Sequence, residues 1–228
     1  HTQINEYLTK VVHPIIGEYD APGAPADYSA TPWKITSPAP TLNQHGKEIM
    51  NELKSYKQRK SLTEDTKKET GLPLEGIRVL AFERVWAAPF GTRYLADFGA
   101  EVIKVESTRF SDGRVFDKSI NPSAWLNTNS TYGEINRNKK SITLDLHTEE
   151  GQKIFKDLVK VSDVVVENNA PGAMKKFNLA YEDLKEIKED IIMVSCPGFG
   201  SKGPMSSYVA VGQSITAFTG LGYLWAQP

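Results

Sequence analysis

From Gly76 onward the chain alternates short apolar runs with stretches in which apolar residues recur every three or four positions. The runs GIRVLAF (76–82), EVIKVE (101–106), SITLDL (141–146), DVVVEN (163–168) and IIMVSC (191–196) have the length and β-branched content of strands. Between them, APFGTRYLADFGA (88–100) has helical spacing and a glycine stop at Gly99. A second helix over Thr148–Lys160 sets Ile154, Phe155, Leu158 and Val161 on one face, and YEDLKEIK (181–188) forms a third. Strands that alternate with helices of this size need crossover connections. The pattern therefore predicts an α/β fold, a doubly wound, mostly parallel, Rossmann-like sheet from about residue 74 to 200.

The part before Gly76 reads differently. Residues 1–45 hold many of the 13 prolines, which favours extended segments over helix or ladder. Gly46 to Tyr56 predicts a short amphipathic helix with Ile49, Met50 and Leu53 on one side, and KQRKSLTEDTKKETGLP (57–73) predicts a charged linker. Three segments result: 1–56, 57–73 and 74–228.

Charge narrows the partners. Lys plus Arg number 27 and Asp plus Glu 28, a net charge of −1, so nothing suggests general affinity for nucleic acid or an anionic membrane. A phosphorylated ligand would need a local cluster of cations. The single cysteine, Cys196, cannot form an internal disulfide, and no CxxC pair is present for a metal, which favours a reducing compartment such as the cytosol or an organelle matrix. No stretch approaches the roughly 20 apolar residues of a membrane span. The start at His1 and the stop at Pro228, just after an apolar run, suggest a piece of a longer protein.

In an open parallel sheet ligands bind outside the carboxyl ends of the strands. Four strand-end segments draw attention: ERVWAAP, ESTRFSDGR, ENNAPGAM and PGFGSKGP. The last contains GxGxxG at Gly198, Gly200 and Gly203. It follows the last strand rather than the first and runs into Pro204, which is the wrong setting for a dinucleotide site. The first turn, Glu83 to Pro89, lacks a glycine, and a plain tight connection with Trp86 as a packing residue would look the same. Glu106, where a ribose-binding acid would stand, loses its partner without the glycine turn. Asn136 to Ser141 holds three cations before a strand, and Lys175 and Lys176 add a pair at a helix end. Such cations either face a phosphorylated ligand or are ordinary solvated charges.

Taken together, the blocks GIRVLAFERVWAAPFGTRYLADFGAEVIKVES, GEINRNKKSITLDLHTEEGQ, DVVVENNAPGAMKKFNL and VSCPGFGSKGP closely resemble, in order, the opening half of the family III CoA-transferases, with the related α-methylacyl-CoA racemases. That resemblance implies a CoA or acyl-CoA ligand, a carboxylic acid acceptor and no metal. It places CoA against Val85, Trp86 and Ala87. It points further to Asn138, Lys139 and Lys140 for the nucleotide end, to Asn168, Asn169, Lys176 and Phe177 along the pantetheine path, and to Gly198 and Phe199. A basic pair of some members is replaced by Ser107 and Thr108, with Arg109 as a substitute, and Pro197 stands where one member has lysine.

The family's nucleophile, an aspartate, is expected beyond Pro228, so no catalytic residue is assigned within the chain. A racemase would need a histidine near Tyr208–Ser214, and the four histidines are His1, His13, His45 and His147. Residues 1–56 resemble the family's closing segment, which implies a tandemly duplicated parent and a tail that packs on this sheet or on a sister repeat. A non-catalytic scaffold repeat is the alternative to an enzyme part. Pairing as a dimer, or within one chain, is expected from the family.

Overall fold

The computed structural model describes residues 8–23, 29–55, 71–107, 109, 114 and 126–225. Most of the charged linker, the bulk of ESTRFSDGR, and Pro228 lie outside the described residues.

Five strands form one parallel sheet. They are β3 (Arg78–Phe82), β4 (Glu101–Glu106), β5 (Lys139–Thr143), β6 (Val164–Glu167) and β7 (Ile192–Ser195), in the order β5-β4-β3-β6-β7. The chain moves outward from β3 to β5, then returns to the other side of β3 for β6 and β7. This doubly wound order opens a crevice between β3 and β6, where the direction of winding reverses.

Helices follow from local signals. After β3, α2 (Ala87–Asp97) carries Pro89 in its first turn and ends at Gly99, whose φ of 100° suits a residue without a Cβ. A side chain there would also strike Leu72, 2.7 Å away. Helix α4 (Glu149–Lys160) starts where the Thr148 hydroxyl accepts from the amide of Gly151 at 3.0 Å. The remaining helices are α1 (Gly46–Ser55), α3 (Ser130–Ile135), α5 (Ala173–Lys176), α6 (Tyr181–Ile187), α7 (Gly212–Phe218) and α8 (Leu221–Trp225).

The strand alternation sorts side chains onto two faces. Leu80, Phe82, Ile103, Val105, Ile142, Leu144 and Val165 pack with Ile49 of α1, Phe155, Leu158 and Val159 of α4, and Leu184 of α6. On the other face Val79, Ala81, Val102 and Val166 meet Ala88 and Ala96 of α2.

Two expectations need correction. The third strand of the sheet begins at Lys139, not Ser141, because Val102 of β4 pairs with Lys139; the basic segment is therefore strand rather than turn. The proline-rich opening does form a ladder: β1 (Leu8–His13) and β2 (Gly17–Pro22) pair antiparallel around Pro14–Ile16. Both prolines of this unit fall at its turn or its end, where no ladder donor is needed, and Gly17 supplies a φ of 79°. The imidazole Nδ1 of His13 accepts from the amides of Ile15 and Ile16 and ties the turn.

Residues 29–55 lie against the sheet. The amide of His45 donates to the carbonyl of Ser141 at 3.0 Å, and its Nδ1 accepts from the amide of Ser141 at 3.1 Å. Asn43 Oδ1 accepts from the amide of Thr143 at 2.9 Å. Glu48 pairs with Lys140, and Glu52 with Arg78, each at 2.6 Å.

Candidate functional site

The carboxyl ends of β3, β4 and β5 enclose a cavity of about 220 Å³. Its walls are mostly apolar: Phe82 at the end of β3, Val105 of β4, Leu144 and Leu146 beyond β5, and Ala173 and Phe177 around α5. Phe177 meets Phe82 and His147 edge to face, with ring centroids 6.4 and 5.2 Å apart. A flat aromatic ring entering this cavity would find ring edges on one side and leucines on another.

The rim is polar and electrostatically ordered. Arg109 Nε donates to both carboxylate oxygens of Asp145 at 3.1 and 3.0 Å, and the amide of His147 donates to the same carboxylate at 3.0 Å. The bonds from Arg109, then the backbone bond from His147, hold the Asp145 carboxyl down to about 2. Lys176 lies exposed beside Phe177 on the outer wall, next to His147, Gln152 and Pro171.

On the far side of the cavity is the turn after β3. Val85 has φ 62°, the left-handed region, where a β-branched residue is an outlier costing about 1–3 kcal/mol. Its side chain and that of Trp86 are exposed, and the Trp86 ring stacks on Phe90 with centroids 6.3 Å apart. Helix α2 begins directly after Trp86 with no side-chain cap. Trp86 also forms part of a wider cavity, about 430 Å³, between the β1–β2 hairpin and α3.

Two asparagines at the end of β6 bridge the crevice to this turn. Asn168 Oδ1 accepts from the amide of Arg84 at 2.6 Å, and its Nδ2 donates to the carbonyl of Arg84 at 2.9 Å. Asn169 Nδ2 donates to the carbonyl of Phe82 at 2.9 Å. Asn169 lines the cavity as well.

Beneath the turn, Glu83 is wholly buried. Its carboxylate receives Lys139 Nζ at 2.7 Å and the Thr92 hydroxyl at 2.7 Å, and Lys139 donates further to the carbonyl of Pro89 and to Asn136 Oδ1. Glu106 is buried too. Burial pushes its carboxyl up, but bonds and charge from Arg114, with Lys104 and Ser141, outweigh that and leave it below the usual range.

The structure thus brings Val85, Trp86, Ala87, Asn168, Asn169, Lys176 and Phe177 to one end of the sheet. Asn138 and Lys140 stand at the amino end of β5, away from that end, whereas the Lys139 side chain reaches the underside of the turn after β3. Asn138 holds the amides of Thr36 and Ser37 and donates to Asp97; the Lys139 ammonium is buried on Glu83; Lys140 pairs with Glu48 and Glu101.

Gly198 and Phe199 follow β7, outside the cavity. A Cβ on Gly198 would fall 2.3 Å from that of Ala210, so this glycine serves chain packing, and Phe199 packs edge to face on Tyr208 and Phe218. At Cys196, desolvation, then the charges of Glu167 and Glu83, push the thiol up.

No sequence-based candidate falls after β5, where Leu144, Leu146 and His147 line the cavity, although the strand-end rule applies to every strand of the sheet; Ser107, Ala170 and Ala173 lie in strand-end segments singled out from the sequence. Among the described residues no group of His, Cys, Asp and Glu could hold a metal ion, and no helix is long and apolar enough to cross a membrane.

The chain is thus an α/β domain with a doubly wound parallel sheet flanked by helices and a mostly apolar cavity outside its strand ends. Residues 74–228 match CoA-transferase family III, and the chain belongs to that family. It is 42% identical over 153 residues to the succinyl-CoA:glutarate CoA-transferases of Mus musculus and Homo sapiens, which covers 67% of this chain and 34% of each relative. The succinyl-CoA--L-malate CoA-transferase beta subunit of Chloroflexus aurantiacus is 38% identical over 159 residues, 70% of this chain and 38% of the relative. Among solved structures, a CAIB/BAIF family protein from Brucella suis aligns with a TM-score of 0.59 at 36% identity, over 65% of this chain and 39% of that one. The chain therefore spans little more than a third of the length of the relatives it matches.

Proposed function

We propose that this chain supplies the CoA-binding part of an acyl-CoA:carboxylate CoA-transferase. The observation that carries the reading is the cavity at the ends of β3, β4 and β5, where an apolar slot walled by Phe177, Leu144 and Leu146 adjoins Lys176 and Arg109. In this reading the base of CoA enters the slot, its phosphates lie toward the rim cations, and the pantetheine arm runs past Asn169 to the turn at Val85, Trp86 and Ala87. In the same reading Arg109, Lys176, Ser107 and His147 join the segment Asn138–Lys140 as candidate partners of the nucleotide end.

Transfer proceeds through an aspartyl-CoA intermediate. An aspartate carboxylate attacks the thioester carbonyl and expels CoA thiolate, leaving a mixed anhydride; the thiolate attacks the aspartyl carbonyl and releases the donor acid. The acceptor carboxylate then attacks the aspartyl thioester, and the returning thiolate takes the acyl group and frees the aspartate. No described aspartate lines the cavity, and Asp97, Asp145 and Asp163 are engaged by Arg137, Arg109 and the amide of Arg78. The nucleophile is assigned to the part of the family's length that this chain does not span. Pairing with a second family member belongs to the same reading, since two Chloroflexus relatives are the alpha and beta subunits of one transferase.

Calorimetric titration of the chain with CoA at low salt tests the binding claim. Weak, salt-sensitive binding that Phe177→Ala abolishes is expected, without transfer activity. A folded sample that gives no heat with CoA would sink the reading.

A further inference from the structure

The turn after β3 holds a conformation its own residues disfavour. Val85 sits at φ 62°, and nothing in a Val-Trp-Ala sequence prefers the left-handed region. The residue just before it, Arg84, has both its amide and its carbonyl bound by one carboxamide, that of Asn168, at 2.6 and 2.9 Å. Two residues further back, the carbonyl of Phe82 is bound by Asn169 at 2.9 Å. The latch therefore crosses from β6 to β3 at the point where the sheet reverses, and it grips the main chain immediately ahead of the strained residue.

We infer that Asn168 is a positioning residue for the CoA-facing turn. Its side chain is spent on the Arg84 main chain, and it acts on the ligand only through the geometry it imposes on Val85 and Trp86. Released from Asn168, Arg84 can rotate and Val85 relaxes to an extended conformation, which swings the exposed Val85 and Trp86 side chains away from the crevice. The inference rests on the CoA reading above. A carboxamide is the side chain of this length that offers one acceptor and one donor side by side, as both polar atoms of a peptide unit require. Aspartate keeps the acceptor and loses the donor.

The test compares the chain with its Asn168→Ala and Asn168→Asp variants by two measurements. Nuclear magnetic resonance without ligand reads the Val85 carbon shifts and amide–Hα coupling, which report its φ. Calorimetry reads CoA affinity. The expected result is that both variants stay folded, that Val85 leaves the left-handed region, and that affinity falls roughly tenfold or more, because the strained turn must be rebuilt on binding. Adding Val85→Gly to Asn168→Ala should restore part of the affinity, since glycine takes positive φ without a latch.

A Val85 that stays left-handed in both variants overturns the inference. So does a loss of affinity that Val85→Gly does not mend, because Asn168 would then be a direct ligand contact. If the wild-type chain binds no CoA while Val85 still relaxes in the variants, the CoA reading falls, and the latch stands as a property of the turn alone.

Discussion

On the α1, α4 and α6 side of the sheet, aliphatic and aromatic side chains fill most of the space between strands and helices, with the Arg78–Glu52 pair at its edge. On the α2 and α3 side the apolar layer shrinks to valines and alanines, and buried ions occupy the rest: Glu83 with Lys139, Asp97 with Arg137, Glu106 with Arg114. Each of the three cations also bonds to a main-chain carbonyl. Lys139 reaches the carbonyl of Pro89, Arg137 that of Pro22, and Arg114 that of Pro40. The first face stabilises by area removed from water. The second contributes little net stability per ion pair but ties α2, the hairpin and residues 29–55 to defined positions.

Two substitutions of similar size set the faces against each other. Phe155→Ala should cost about 3–5 kcal/mol in denaturant unfolding, and no polar partner elsewhere should mend it. Lys139→Met should also cost about 3–5 kcal/mol, because it leaves the Glu83 carboxylate buried without its ammonium partner; Glu83→Gln in the same chain should recover much of the loss. Failure of that recovery would show that Lys139 matters through more than its charge.

A smaller effect separates the faces by pH. Burial, then the Arg114 charge, lowers the pKa of His13. Burial lowers that of His45, with Lys140 acting the same way and Glu48 against it. Both rings accept amide protons at Nδ1 and must be neutral to do so. The unfolded chain takes up protons at about 6.5, before the folded one, so stability should be flat above that pH and fall below it. Comparing denaturation midpoints at neutral pH and in mild acid checks this, and His45→Asn, which keeps an acceptor, should flatten part of the slope.

The smallest expected change is at the rim. Arg109→Ala removes a half-exposed ion pair with Asp145 and should leave the denaturation midpoint nearly unchanged, while weakening CoA binding in a salt-dependent way. Binding that is unchanged at low salt would remove Arg109 from the phosphate path.

The apolar face was legible in the sequence, because its residues keep strand and helix periods: Phe155 and Leu158 fall on one helical stripe, as expected. The ionic face was not. Lys139 reads as a surface cation, and only the pairing of Val102 with Lys139 reveals that the segment is strand and its ammonium inward. The hairpin escaped notice because prolines mask a ladder unless their positions at turn and end are known. Of the candidate site, the family resemblance points to the turn at Val85 and the Asn168–Asn169 pair, but not to the hydrogen bonds that join them. Which polar atoms an asparagine spends on main chain is a matter of three-dimensional register.

Residues 43–45 carry a consequence for how copies of this protein meet one another. The outer edge of β5 would otherwise present a row of main-chain donors and acceptors, an invitation to strand exchange and aggregation. At that edge the His45 imidazole and the Asn43 carboxamide stand in for a neighbouring strand by accepting from the amides of Ser141 and Thr143, while the His45 main-chain amide donates to the carbonyl of Ser141. Side chains can imitate a strand for a few residues but cannot propagate one. The sheet is closed on this side by a plug that no further strand can extend.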